Sequence, residues 1–198
     1  MTHSLRKHSL SKDEINALPL KSYAGTIHLI DSDAKMSAAI RALNIEKVLG
    51  FDTETRPAFN KGESYPPSII QLAASDAVYI FQLGHIHSYG PLAGILSSKK
   101  VLKAGIAVNE DINKLGTVFS FEPSGFVELA TMATKAGIKH MGLRGLAALL
   151  FGFRISKQKQ CSRWDTPALS HEQLVYAATD AWICREMYFA LLSTLRER

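Results

Sequence analysis

The chain has 198 residues, 46% of them hydrophobic, with 23 Lys and Arg against 18 Asp and Glu. That length suits one domain with a full core and is short for two, and the composition excludes a disordered or fibrous chain. No apolar run approaches the roughly 18 residues of a membrane span, and a net charge of +5 permits a polyanionic partner without requiring one.

The N-terminus is basic but no apolar core follows it, so it does not read as a secretory signal. Cys161 and Cys184 have no paired spacing and read as free thiols of a reducing compartment, so the expectation is a cytoplasmic protein with no membrane association. Residues 1–24 read as an appendage with one short helix, opened by a capping box of Ser11 and Glu14 and ended by Pro19. Residues 25–198 then form the domain. Thr26 to Ile30 alternates weakly, as an edge strand does. A helix follows through Leu43, with Met36, Ala39, Ile40 and Leu43 on one face.

Next comes KVLGFDTETR, residues 47–56. Apolar character on both faces marks a buried central strand, because a half-exposed strand would alternate. Residues two apart share a face, so Asp52 and Glu54 project together at its carboxyl end. Two carboxylates there repel one another and lose hydration, and a divalent cation compensates them best. The loop from Pro57 to Pro67 should be irregular. SIIQLAA and AVYIFQ, parted by Ser75 and Asp76, form an antiparallel hairpin.

A helix near Pro91 leads to an apolar strand over 101–108, then to a helix from Glu110 closed by Gly116. Residues 127–136 read as a helix, as do 143–151, each stopped by a glycine. Ser170 caps the last helix, with Gln173 completing the box. Tyr176 and Asp180 share a face of it with Ile183, Cys184, Met187 and Leu191. Asp180 therefore points inward and needs a metal, an Arg or backbone donors.

Asp111 sits in the first turn of its helix, where an acid can also simply offset the dipole. Its strand should neighbour the central one, which would bring Asp111 near Asp52 and Glu54. Four converging carboxylates form a hard oxygen site suited to Mg²⁺ or Mn²⁺. Two ions about 4 Å apart would activate a water and stabilise the leaving oxygen of a phosphodiester. Zinc does not fit, since no His or Cys pair with ligand spacing lies near these acids.

FDTET, AGIAVNEDINKL and LSHEQLVYAATDAW, in that order, resemble the three motifs of the DEDD superfamily of 3′–5′ exonucleases. The resemblance is to the branch with Tyr in the third motif, which includes ribonuclease D and the Werner syndrome exonuclease domain. FVELA and the Leu-rich LRGLAALLFG between the motifs agree with it. The resemblance implies an α/β, ribonuclease-H-like fold, a five-stranded mixed sheet, with an edge strand added, flanked by helices. It implies that Asp52 bridges two ions, Glu54 and Asp180 ligate the first, Asp111 holds the second, and Tyr176 orients the attacking water. The products would be nucleoside 5′-monophosphates, cut one at a time from DNA or RNA 3′ ends. Ribonuclease D continues into helical domains that grip RNA, and no helicase is joined to this sequence, so unwinding would need a separate helicase partner.

Thr53, Arg56 and Phe59 follow the first acid and could line the terminal nucleotide, Phe59 by stacking. Arg154, Lys157, Lys159 and Arg163 form a basic run ending at Trp164, able to grip phosphates while the indole stacks on a base. The rivals are a non-catalytic nucleic-acid-binding module of the same fold and an endonuclease of related structure.

Overall fold

In a computed structural model, which describes residues 9–139 and 142–197, the run at Val48 becomes strand β2 (Val48–Thr55), with its first four residues buried. β3 (Pro67–Ala73) lies antiparallel to it, placing Asp52 opposite Gln71 and Glu54 opposite Ile69. β4 (Ala77–Gln82) completes the expected hairpin, whose turn is closed by Ala74 N donating to Ala77 O at 2.8 Å. Glu46 braces that turn, accepting from both the amide and the hydroxyl of Ser75.

β1 (Thr26–Ile30) runs parallel to β4 at one edge, as its weak alternation suggested. On the other side of β2 lie β5 (Leu102–Gly105) and then β6 (Phe126–Glu128), both parallel to their neighbours. The sheet is six-stranded and mixed, in the order β1-β4-β3-β2-β5-β6.

Two expected boundaries need correction. The apolar strand stops at Gly105, because Ala107 takes a left-handed conformation (φ 57°) and turns the chain into α4 (Val108–Leu115). Residues 126–128 are strand, and the helix read over 127–136 is the shorter α5 (Leu129–Lys135). Glu128 makes that switch, accepting from Ala130 N at 3.1 Å as an N-cap and from Val108 N at 3.0 Å. Lys103, inside an apolar strand, is buried with its Nζ donating to the carbonyls of Ser98, Val101 and Ser124 at 2.7, 2.8 and 2.5 Å. It ties both flanking loops to the sheet edge.

Alternate residues of β2 choose opposite layers. Leu49 and Phe51 face α2 (Asp33–Asn44), α3 (Gly90–Leu96) and α4, packing with Met36, Leu43, Leu92 and Leu115. The opposite layer holds α5, α6 (Leu143–Phe151) and the long α7 (His171–Arg196), whose capping box of Ser170 and Gln173 is formed. Val48, Gly50, Asp52 and Glu54 belong to that side. Tyr176, Asp180, Ile183, Cys184, Met187 and Leu191 are all buried along α7.

The N-terminal helix α1 (Lys12–Ala17) carries the expected capping box. Residues 1–8 of the appendage lie outside the described residues. After α1 the chain pairs with Arg154: Lys21 N donates to Arg154 O and Arg154 N to Pro19 O, each at 2.9 Å. No helix among the described residues is long and apolar enough to cross a membrane.

At Gly50 a Cβ would lie 1.9 Å from the Ala181 carbonyl oxygen of α7. Backbone cannot retreat from that position, so Gly50→Ala should cost at least about 3 kcal/mol, or roughly 6–12 °C in melting temperature. A thermal melt within about 2 °C of the wild-type value would show that α7 does not rest on β2 as described.

Candidate active site

β2 and α7 meet where their acids are. Because Asp52 and Glu54 point from β2 towards α7, and Asp180 points inward from α7, oxygens of all three carboxylates lie within 4.8 Å of one another. Asp180 is 5% exposed and Glu54 9%. One oxygen of Asp180 is buried with no hydrogen-bond partner among the described residues. Such an orphaned acceptor is costly unless a cation meets it.

The parallel pairing of β5 with β2 opens both strands at the same edge, and α4 starts there. Asp111 accepts a 2.6 Å hydrogen bond from the Thr53 hydroxyl. It stands beside the trio, outside the group that shares the 4.8 Å spacing. Tyr176, one turn before Asp180, lines the same cleft as Asp52, Glu54 and Asp180, a space of about 770 Å³.

Burial dominates the electrostatics. It pushes the Asp52 carboxyl well above its usual range, and the charges of Asp180 and Asp111 push further. Glu54 is raised to about 10 by burial, then by Asp52 and Asp180. Asp180 rises to about 7 through burial, with the Tyr176 hydrogen bond acting the other way. Asp111 rises to about 6, again through burial, with the Thr53 bond opposing. Burial and the neighbouring acids also raise Tyr176, so its phenol keeps its proton at neutral pH.

No Lys or Arg forms an ion pair with these acids among the described residues. The donor set is carboxylate oxygen only, which fits a hard divalent cation such as Mg²⁺ or Mn²⁺. Cys184 borders the cleft, but burial raises its thiol far from the thiolate a soft metal would need.

The residues expected to hold substrate scatter. Thr53 lines the cleft while serving Asp111, and Lys157 lines it too. Lys159 lines an adjoining cavity of about 530 Å³ that also reaches Tyr176 and Asp180. Arg56 turns away: its guanidinium lies 4.1 Å from the Tyr65 ring centroid and pairs with Asp165 at 3.1 Å. Arg163 pairs with Asp165 as well, at 3.3 Å. Phe59 is 84% exposed in its loop and lines no part of the cleft.

Arg154 is occupied with the arm, its Nε donating to Leu18 O at 3.1 Å. Trp164 is 0% exposed and packs against Tyr176 with ring centroids 6.0 Å apart, so stacking on a base is corrected to a core role. An indole at the end of a basic run looks accessible in sequence. Here the following turns fold it under α7. The cleft instead takes Lys12, Lys139 and Arg144. No local motif marks them, since each reaches the cleft through the tertiary path of its segment.

Known proteins share the sequence pattern and the fold. A model of the 3′–5′ exonuclease family matches residues 27–196. The bifunctional 3′–5′ exonuclease/ATP-dependent helicase WRN of Mus musculus is 32% identical over 141 residues, 68% of this chain and 10% of that one. The exonuclease mut-7 homolog of Homo sapiens is 28% identical over 212 residues, 91% of this chain and 24% of that one. The chain thus spans a tenth to about a quarter of the length of these relatives.

Among solved structures, the Aedes aegypti Nibbler EXO domain superposes with a TM-score of 0.80 at 25% identity, covering 89% of this chain and 93% of that one. Escherichia coli RNase D gives 0.77 at 21% identity, over 87% and 46%, a likeness of fold. With acids in place on a ribonuclease-H-like sheet and a family match over nearly its whole length, this chain belongs to the 3′–5′ exonuclease family.

Proposed function

We propose that this chain is a metal-dependent 3′–5′ exonuclease that hydrolyses phosphodiester bonds at nucleic-acid 3′ ends and releases nucleoside 5′-monophosphates. The observation that carries this reading is the convergence of Asp52, Glu54 and Asp180 beside Tyr176, with an Asp180 oxygen left unpartnered. A pure binding module gains nothing from three acids facing a polyanion.

Asp52 would be shared by two divalent ions, Glu54 and Asp180 would complete the site of one, and Asp111 would serve the other. When bound, the ions would supply charge neutralisation at the scissile phosphate and make a bound water easier to ionise. Thr53 fixes the Asp111 carboxylate by its hydrogen bond. Tyr176 stays protonated, so it orients the attacking water by hydrogen bonding and does not act as a base. The surrounding apolar side chains of α7 keep the carboxylates from relaxing apart.

Asp52→Ala and Asp180→Ala should each lower release of labelled mononucleotide by more than about a hundredfold while the melting temperature in chelator stays at or above the wild-type value. Turnover like the wild type in either variant would remove the acids from the chemistry. Tyr176→Phe should slow release roughly tenfold. A circular single strand should remain uncut, and its cleavage would point to an endonuclease.

The acid cluster also fixes a pH dependence. Asp180 and Asp111 titrate higher in the fold than in the unfolded chain, so without metal the fold binds more protons between about pH 4 and pH 7. Their stabilising contribution is full below the unfolded pKa and is lost as pH rises through the folded one. In chelator the melting temperature should therefore fall over that window. At about pH 8, Asp180→Asn should melt a few degrees higher than wild type in chelator, and Mn²⁺ should raise the wild type more than the variant. Equal Mn²⁺ responses in a calorimetric scan would contradict the metal site.

A further inference from the structure

The segment before β1 is held against the acid-lined cleft. Ser9, Leu10, Lys12 and Ile15 line the same space as Asp52, Glu54 and Asp180. α1 buries none of its six residues, and a helix that short does not persist alone in water. Bonds further along fix it. Arg144 Nη2 donates to Asn16 Oδ1 at 2.7 Å, Arg154 Nε donates to Leu18 O, and the Pro19–Lys21 backbone pairs with Arg154. Tyr23 N then donates to the Thr179 hydroxyl at 2.9 Å, next to Asp180 in α7. The arm is anchored on both the strap around Arg154 and the helix that carries an acid of the site.

Its placement completes a charge pattern. Lys12 from the arm, Lys139 and Arg144 from the approach to α6 and its first turn, and Lys157 from the strap all line the cleft. None of the four forms a salt bridge among the described residues, so they do not neutralise the acid floor. The bond to Asn16 is the one hydrogen bond Arg144 makes among the described residues, out of five possible N–H donors. Cations ringing an acidic floor are arranged as a polyanion needs them: phosphates meet the rim, and the reacting one reaches the floor.

The geometry points to a phosphate clamp built partly from the N-terminal arm. Lys12 and Arg144 hold backbone phosphates of the incoming strand upstream of its 3′-terminal nucleotide, and Asn16 acts as a positioning residue by fixing the Arg144 guanidinium. This inference rests on the exonuclease reading above and extends it to how the strand is gripped. The ligand class is a single-stranded nucleic-acid backbone, recognised by charge and not by sequence.

The clamp should distinguish long substrates from short ones, because a dinucleotide has one phosphodiester, the scissile one, and no phosphate upstream of it. The test compares kcat/KM for a single strand of about twelve nucleotides with that for a dinucleotide, in wild type, Lys12→Gln and Asn16→Ala. Both variants should lower the ratio of long to short about three- to tenfold, through KM. Lys12→Gln should also reduce the log–log salt slope for the long strand by about 0.7, and Lys12→Arg should restore both. Lys12 and Asn16 are both exposed, so melting curves should match the wild type. Ratios within about twofold of wild type in both variants, with an active parent enzyme, overturn the clamp alone. A wild-type protein that releases no mononucleotide from either substrate overturns the exonuclease reading and the clamp with it.

Discussion

The backbone of α7 rests directly on β2 at Gly50, where there is no room for a methyl group. That contact sets the register of everything that matters for the site. Ala181 meets Gly50, so the preceding Asp180 comes over the end of β2, two residues further along, where Asp52 points to the same side. The core and the acid cluster are products of one helix-on-strand packing. Tyr176 and Cys184, each one turn from Asp180, are carried into place by the same contact.

The fold spends part of its stability on holding three carboxyls together with no protein cation among them. In water they would separate and hydrate. Here the apolar clusters on either side of β2 and the long α7 hold them, and burial raises each of them. A site of this kind is preorganised for charge that arrives from outside, which explains why it is unfavourable when nothing has arrived. The cationic rim lies apart from this floor, so the two sign patterns do not cancel.

Much of this was legible locally. Unbroken apolar character before Asp52 fixed a central strand, and strand parity put Asp52 and Glu54 on one side. The spacing of Tyr176, Asp180 and the stripe behind them gave an inward acid on a helix, as observed. Failures occurred where tertiary context overrode local signals. Trp164 follows a basic run yet is fully buried, and Arg56 follows the first motif yet is drawn to Tyr65 and Asp165. β6 was hidden because three residues carry too little periodicity to compete with the helix that follows. Lys12 and Arg144 carry no local signal of a role, since nothing local reveals that residues 9–21 fold back to the cleft.

The central claim is that Asp52, Glu54 and Asp180 together hold divalent cations. Diffraction from crystals grown with Mn²⁺ and a nucleoside 5′-monophosphate, recorded at the manganese absorption edge, tests it directly. Anomalous density among these three carboxylates, with Asp111 on its border, is the predicted result. Saturating Mn²⁺ with no density between Asp52 and Asp180 would contradict it.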